Sequence, residues 1–239
     1  MNFELVTLFC GVAMESDVGP SLKSGKIRMS KTWMETNSGR RLDLLNPDPD
    51  QIEIDDIAHH LGILPRFNGA TRFPYSVAQH SLYVSMLVPD HLKLPALLHD
   101  AHEAYIGDLS TPLKNCLVEG VAGGWSDPVG VIIGDIDLAI RMRFSLETLD
   151  GFGYYEIKRA DMQAMSDERA FLKPNSTSSW EEYGLPPPAG GINVVLSWHE
   201  AKQAFLQQFW KLYERRPSIQ SNSRPHVEPS RLQGQGLRF

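Results

Sequence analysis

Cysteine is almost missing from this chain. Cys10 and Cys116 lie far apart and form no Cys-x-x-Cys spacing, so neither a disulfide framework nor a thiolate zinc site is indicated. That scarcity points to a reducing compartment, and a cytoplasmic location is the expectation. Long apolar runs are also lacking. The stretch from Leu5 to Met14 is broken by Thr7 and Gly11, follows Glu4 and has no basic flank, so neither a signal peptide nor a membrane anchor is expected. Basic charge is not in excess: 23 Lys and Arg face 29 Asp and Glu, for a net charge of −6. This argues against the broad basic face of a protein that binds large nucleic acids, while leaving room for a local phosphate pocket. No internal repeat is present. What is there, 239 residues with 42% hydrophobic and 22% charged side chains, suits one buried core and is short for two full domains.

Along the chain, residues 1–30 carry Gly11, Gly19, Pro20 and Gly25 without a sustained period and read as a poorly structured extension. Residues 32–44 suggest a short hairpin turning at Asn37-Ser38-Gly39. Ile54, Ile57, Ala58 and Leu61 recur at helical spacing. A helix capped by Ser76 runs to Leu87 and stops before Pro89, and another is expected over 94–106, ending at Gly107. Residues 109–114, with Pro112, read as a loop or short turn. Helical patterns return at 131–143 and 154–172, then 176–191 reads as a long Ser/Pro/Gly-rich loop before a last helix at 198–215. The polar stretch from Pro217 is expected to be disordered, so the chain divides into an extension (1–30), one domain (31–215) and a tail (216–239). The fold class is all-α, with the short N-terminal hairpin added.

Function enters through misplaced polarity. Val77, His80, Val84 and Leu87 form one helical stripe, which turns His80 toward the core. His99 and Asp100 are adjacent in an apolar helical segment, and both can reach Glu103. Asp161 shares a face with Ile157, Ala164 and Met165. Burying even a neutral polar group without a partner costs roughly 2–7 kcal/mol, and a carboxylate costs more. Each residue alone has an ordinary reading: a hydrogen-bonded core histidine for His80, a pair with Lys158 or Arg159 for Asp161, a solvated position for Glu103. One divalent cation shared by two imidazoles and two carboxylates accounts for them together.

The surrounding motifs are Phe73-Pro74-Tyr75-Ser76-Val77-Ala78-Gln79-His80-Ser81 and Ala96-Leu97-Leu98-His99-Asp100-Ala101-His102-Glu103-Ala104-Tyr105-Ile106-Gly107-Asp108-Leu109-Ser110-Thr111-Pro112-Leu113-Lys114. They closely resemble the HD-domain phosphohydrolases, in particular the bacterial 5′-deoxynucleotidases and their phage and prophage relatives. The resemblance covers about 32–172, extending toward Phe209. It implies an HD-domain helical bundle with an H…HD…D ligand set, matched here by His80, His99, Asp100 and Asp161. Asp135, Asp137 and Asp167 lie in the same half of the chain as Asp161; Asp135 and Asp137 read as decoration of an exposed helix face.

From the same resemblance come the roles. Glu103 transfers the proton, through water, to the leaving 5′-oxygen. Arg66 grips the phosphate, with Arg72 as the alternative. Asp108 accepts from the sugar 3′-hydroxyl, or is a turn residue past a helix. Lys114 adds charge near the phosphate or is a surface lysine. His102 contacts substrate or, more simply, faces solvent. Phe67 follows Arg66 where those deoxynucleotidases carry Trp, a departure that bears on 2′-deoxy selectivity. Trp33 is read as a packing anchor in preference to a base-stacking residue. The expected activity is release of phosphate from deoxynucleoside 5′-monophosphates with one divalent ion (Co, Mn, Zn, Mg or similar), and homodimerisation is left open. The rivals are a deoxynucleoside triphosphate triphosphohydrolase and a non-catalytic nucleotide-binding domain. Hydrolysis of a signalling nucleotide is less favoured, because no second set of metal ligands such as a further His-His pair stands out.

Overall fold

The computed structural model describes residues 31–122, 127–173, 180 and 183–216. The expectations for 1–30 and for the chain after Arg216 lie outside the described residues. The fold is all-α, opened by a hairpin. Strands β1 (Trp33–Glu35) and β2 (Arg41–Asp43) pair antiparallel, with Met34 opposite Leu42. Gly39, at φ +82°, makes the turn, a conformation that an L side chain rarely adopts. The turn is tied down by one carboxylate: Asp56 accepts from Thr36 Oγ1 (2.7 Å), Ser38 N (2.8 Å) and Ser38 Oγ (2.7 Å). Trp33 is exposed, with the Arg41 guanidinium over its ring at 4.2 Å, so it is not the buried anchor expected.

Eight helices follow among the described residues: α1 (Ile54–Ile63), α2 (Val77–Leu87), α3 (Lys93–Leu97), α4 (Glu103–Ile106), α5 (Thr111–Ala122), α6 (Pro128–Arg143), α7 (Gly151–Leu172) and α8 (Trp198–Glu214). None is long and apolar enough to cross a membrane. Their starts obey local chemistry. Ser76 caps α2 by accepting from Gln79 N, Asp127 caps α6, Asp150 caps α7, and Ser197 with Glu200 forms a capping box on α8. Ile54, Ile57, Ala58 and Leu61 of α1 are buried against Ala201, Phe205 and Phe209 of α8 in one apolar cluster. Gly62 allows this approach: a Cβ there would stand 2.9 Å from the Trp198 carbonyl oxygen. Helix α2 is central and packs on α1, α3, α7 and α8. A second apolar cluster, built from Val84, Val88, Leu92, Ala96, Ile157, Ala160 and Ala164, joins its C-terminal half to α7.

Two further expectations need correction. The single helix over 94–106 is broken into α3 and α4, and 98–103 runs in tighter turns whose N–H groups bond three residues back (Ala101 to Leu98 and Glu103 to Asp100, both 3.0 Å). The cause is local. His99 Nδ1 donates to the Ala96 carbonyl at 2.8 Å and takes the acceptor that a continuous helix would offer to Asp100 N. Residues 111–114, expected to be loop, begin α5. Lys114 N donates to Ser110 O, which puts Pro112 in the first turn, where its missing N–H costs no helix bond.

Candidate metal centre

Four side chains from three places in the chain converge beside α2. His80 comes from α2 and is wholly buried; His99 and Asp100 come from the break between α3 and α4; Asp161 comes from α7. His80 Nε2 lies 3.4 Å from Asp100 Oδ2 and 3.3 Å from Asp161 Oδ1, and His99 Nε2 lies 3.1 Å from Asp100 Oδ2. One donor atom each of His80, His99 and Asp161 falls within 4.8 Å of the others. Neither His80 Nε2 nor His99 Nε2 has a hydrogen-bond partner, although both are buried. Orphaned imidazole nitrogens facing two carboxylates match the donor set of a divalent transition ion. Asp161 also keeps the ordinary pairing, since its Oδ2 meets Lys158 Nζ at 2.8 Å while Oδ1 faces His80.

The electrostatics agree with this geometry. Burial would raise the pKa of Asp100, yet His99 and His80 outweigh it and hold the carboxyl well below its usual range. Asp161 is likewise kept ionised against burial, chiefly by His80. For Glu103 the balance is reversed. Burial, then the neighbouring charges of Asp100 and Asp108, push its pKa up to about 9. Its Oε2 has no partner. Glu103 therefore sits beside the metal-ligand candidates as a neutral acid at neutral pH. It does so from the first turn of a new helix, not from one turn further along the helix of His99.

Sequence reasoning passed over Glu168 as a site residue. This α7 side chain is fully buried, accepts from His80 Nδ1 at 2.7 Å and meets Arg66 Nη2 at 3.4 Å. A carboxylate behind a histidine fixes the tautomer that presents Nε2 forward. The signal was available, because Glu168 follows Asp161 by seven residues and so shares its face of α7. Arg66 is buried in the loop before α2. Phe67 and Asn68 after it have φ of 55° and 52°, left-handed backbone that non-glycine residues enter at some cost. Arg66 also lies 3.7 Å from Asp108, so it links the imidazole's carboxylate to the second predicted substrate contact. Lys114, half-buried on α5, is close enough to Asp108 to lower its pKa, against the larger upward push of burial. Arg72 is exposed, its guanidinium over the rings of Phe73 and Phe171 at 5.0 and 5.1 Å.

His102 corrects the expectation of a solvent-facing residue: it is buried, and its Nδ1 lies 3.0 Å from Asp137 Oδ1. Asp137 thereby leaves the set of merely decorative α6 residues, whereas Asp135 is exposed as expected. Asp167, the other carboxylate near Asp161, has a different task. It accepts from Tyr83 Oη (2.7 Å) and from the backbone N–H groups of Ala189 and Gly190, clipping the segment after α7 onto the helix pair.

No family model matches the chain. It is 32% identical over 186 residues to the uncharacterized protein YfdR of Escherichia coli (strain K12), an alignment that covers 77% of this chain and 98% of that one. It is 46% identical over 101 residues to an uncharacterized protein of Rhodobacter capsulatus, covering 38% of this chain and about half (52%) of that protein's length.

Proposed function

The chain belongs to the same family as Escherichia coli YfdR, and we propose that it is a divalent-metal-dependent phosphohydrolase of the HD type, releasing phosphate from deoxynucleoside 5′-monophosphates. The observation that carries the reading is the convergence of His80, His99, Asp100 and Asp161, with two buried imidazole nitrogens left unpartnered. These four residues would hold the ion. When bound, such an ion acts as a Lewis acid toward a phosphate oxygen and lowers the pKa of a coordinated water.

The chain's own groups supply the rest. Glu168 holds the His80 ring from behind through Nδ1, which leaves Nε2 for the ion. Glu103, whose protonated form burial favours, gives its proton to the leaving 5′-oxygen through water. Arg66, fixed by Glu168, presents a planar guanidinium to phosphate oxygens, with Lys114 adding charge near Asp108. Asp108 accepts from the sugar 3′-hydroxyl. A cytoplasmic location and a nucleotide substrate complete the proposal, with homodimerisation left open.

The test is a metal-by-nucleotide screen of mono- and triphosphates in ribo and deoxy forms. Phosphate release is expected to vanish with chelator and return with Co²⁺ or Mn²⁺, most strongly on deoxynucleoside monophosphates. Turnover that persists after complete metal removal would end the proposal, and release of triphosphate would move it to the triphosphohydrolase class.

A further inference from the structure

Overlapping the four residues above lies a second group of donors, in which the single-ion reading leaves His102 without a role and uses Glu103 only as an acid. One ligand atom each of Asp100, His102 and Glu103 falls within 4.8 Å of the others, and His102 and Glu103 are both buried. Glu103 Oε2 has no hydrogen-bond partner. His102 repeats the arrangement of His80: a carboxylate on another helix, here Asp137 of α6, engages Nδ1 at 3.0 Å and leaves Nε2 for a ligand. The chain thus contains two carboxylate-backed histidines, Glu168–His80 and Asp137–His102. Asp100 belongs to both neighbourhoods, for its carboxylate also faces His80 and His99 through Oδ2.

We propose that Asp100, His102 and Glu103 form a second divalent-cation site, sharing Asp100 with the first, and that filling it withdraws Glu103 from proton transfer. The site stands on these residues alone; its effect on turnover rests on the phosphohydrolase reading. Two nitrogen- or oxygen-donor ions bridged by one carboxylate form a familiar catalytic pair. Here the second ion acts in the opposite sense, because it occupies the proton donor. The second site has three protein ligands, one of them shared, against four in the first, so it fills at higher metal concentration.

The test is a titration of the metal-stripped full chain with Mn²⁺, following free Mn²⁺ by electron paramagnetic resonance. Two ions per chain are expected, the second weaker. His102→Gln is expected to bind one. Asp137→Asn, at a half-exposed α6 position, is expected to weaken the second ion by about 10–100-fold and leave the first unchanged. Phosphate release from a deoxynucleoside monophosphate should rise and then fall with Mn²⁺, and the fall should be gone in His102→Gln. A wild-type chain that binds one ion up to millimolar Mn²⁺, or a His102→Gln chain that still binds two, overturns the second site alone. A chain that binds none overturns the first site with it.

Discussion

The α1–α8 and α2–α7 seams each pack one helix stripe on another and do opposite things with it. Between α1 and α8 the fully covered positions are spent on apolar burial: Ile57, Leu61, Phe205 and Phe209 are all completely covered, Gly62 lets the backbones close, and the polar His59 meets Trp198 only edge-on. At roughly 1.5–3 kcal/mol per buried large side chain, that seam is a main source of stability. Between α2 and α7 the stripe alternates. Val84, Ile157, Ala160 and Ala164 pack, while His80, Asp161 and Glu168 occupy intervening positions with polar groups. The polar seam is satisfied internally on one side, through Glu168, and left open on the other, at His80 Nε2.

The largest separation of the two seams should come from Asp100→Ala. It is expected to abolish binding at the first site and turnover together, with the thermal midpoint of the metal-free chain nearly unchanged; a chain that still binds metal there would show the wrong ligand was chosen. Glu103→Ala is expected to keep the ion at the first site in a one-equivalent titration yet lose about 10²–10⁴-fold in kcat. Equal metal loss in these two variants would show that Glu103 has been given the wrong role. Phe209→Ala attacks the other seam: a loss of about 3–5 kcal/mol in chemical denaturation is expected, with first-site metal affinity preserved in the fraction that remains folded. Glu168→Gln should lower first-site affinity by about 10–100-fold, read by competition with a chelator, because the backing carboxylate is lost while the shape is kept. The smallest effect belongs to Lys158→Ala. Its partner Asp161 loses an exposed ammonium worth about 1 kcal/mol or less, so stability and metal affinity should barely move.

Most of the architecture was legible from spacing. The periods of α1, α2, α7 and α8 stand in the sequence, and so does the cap Ser76. The inward turn of His80 and Asp161 followed from the stripes that they interrupt. The break at 98–103 did not, because it depends on a side chain, His99, competing for a backbone carbonyl, which no apolar period reports. Helix α5 was hidden by Pro112, which reads as a breaker unless it falls in a first turn. His102 and Asp137 were each assigned to solvent because their partner lies 35 residues away on another helix.

What the amino-acid order decided alone is therefore which faces are greasy and which polar groups trespass on them, since helical period and burial preference act within a few residues of one another. Pairings across helices were decided only when the chain closed: Glu168 behind His80, Asp137 behind His102, and Asp100 between two groups of donors. The reason is that a hydrogen bond or a ligand set is specified by ångström distances between side chains far apart in sequence, and those distances exist only once the apolar seams have packed.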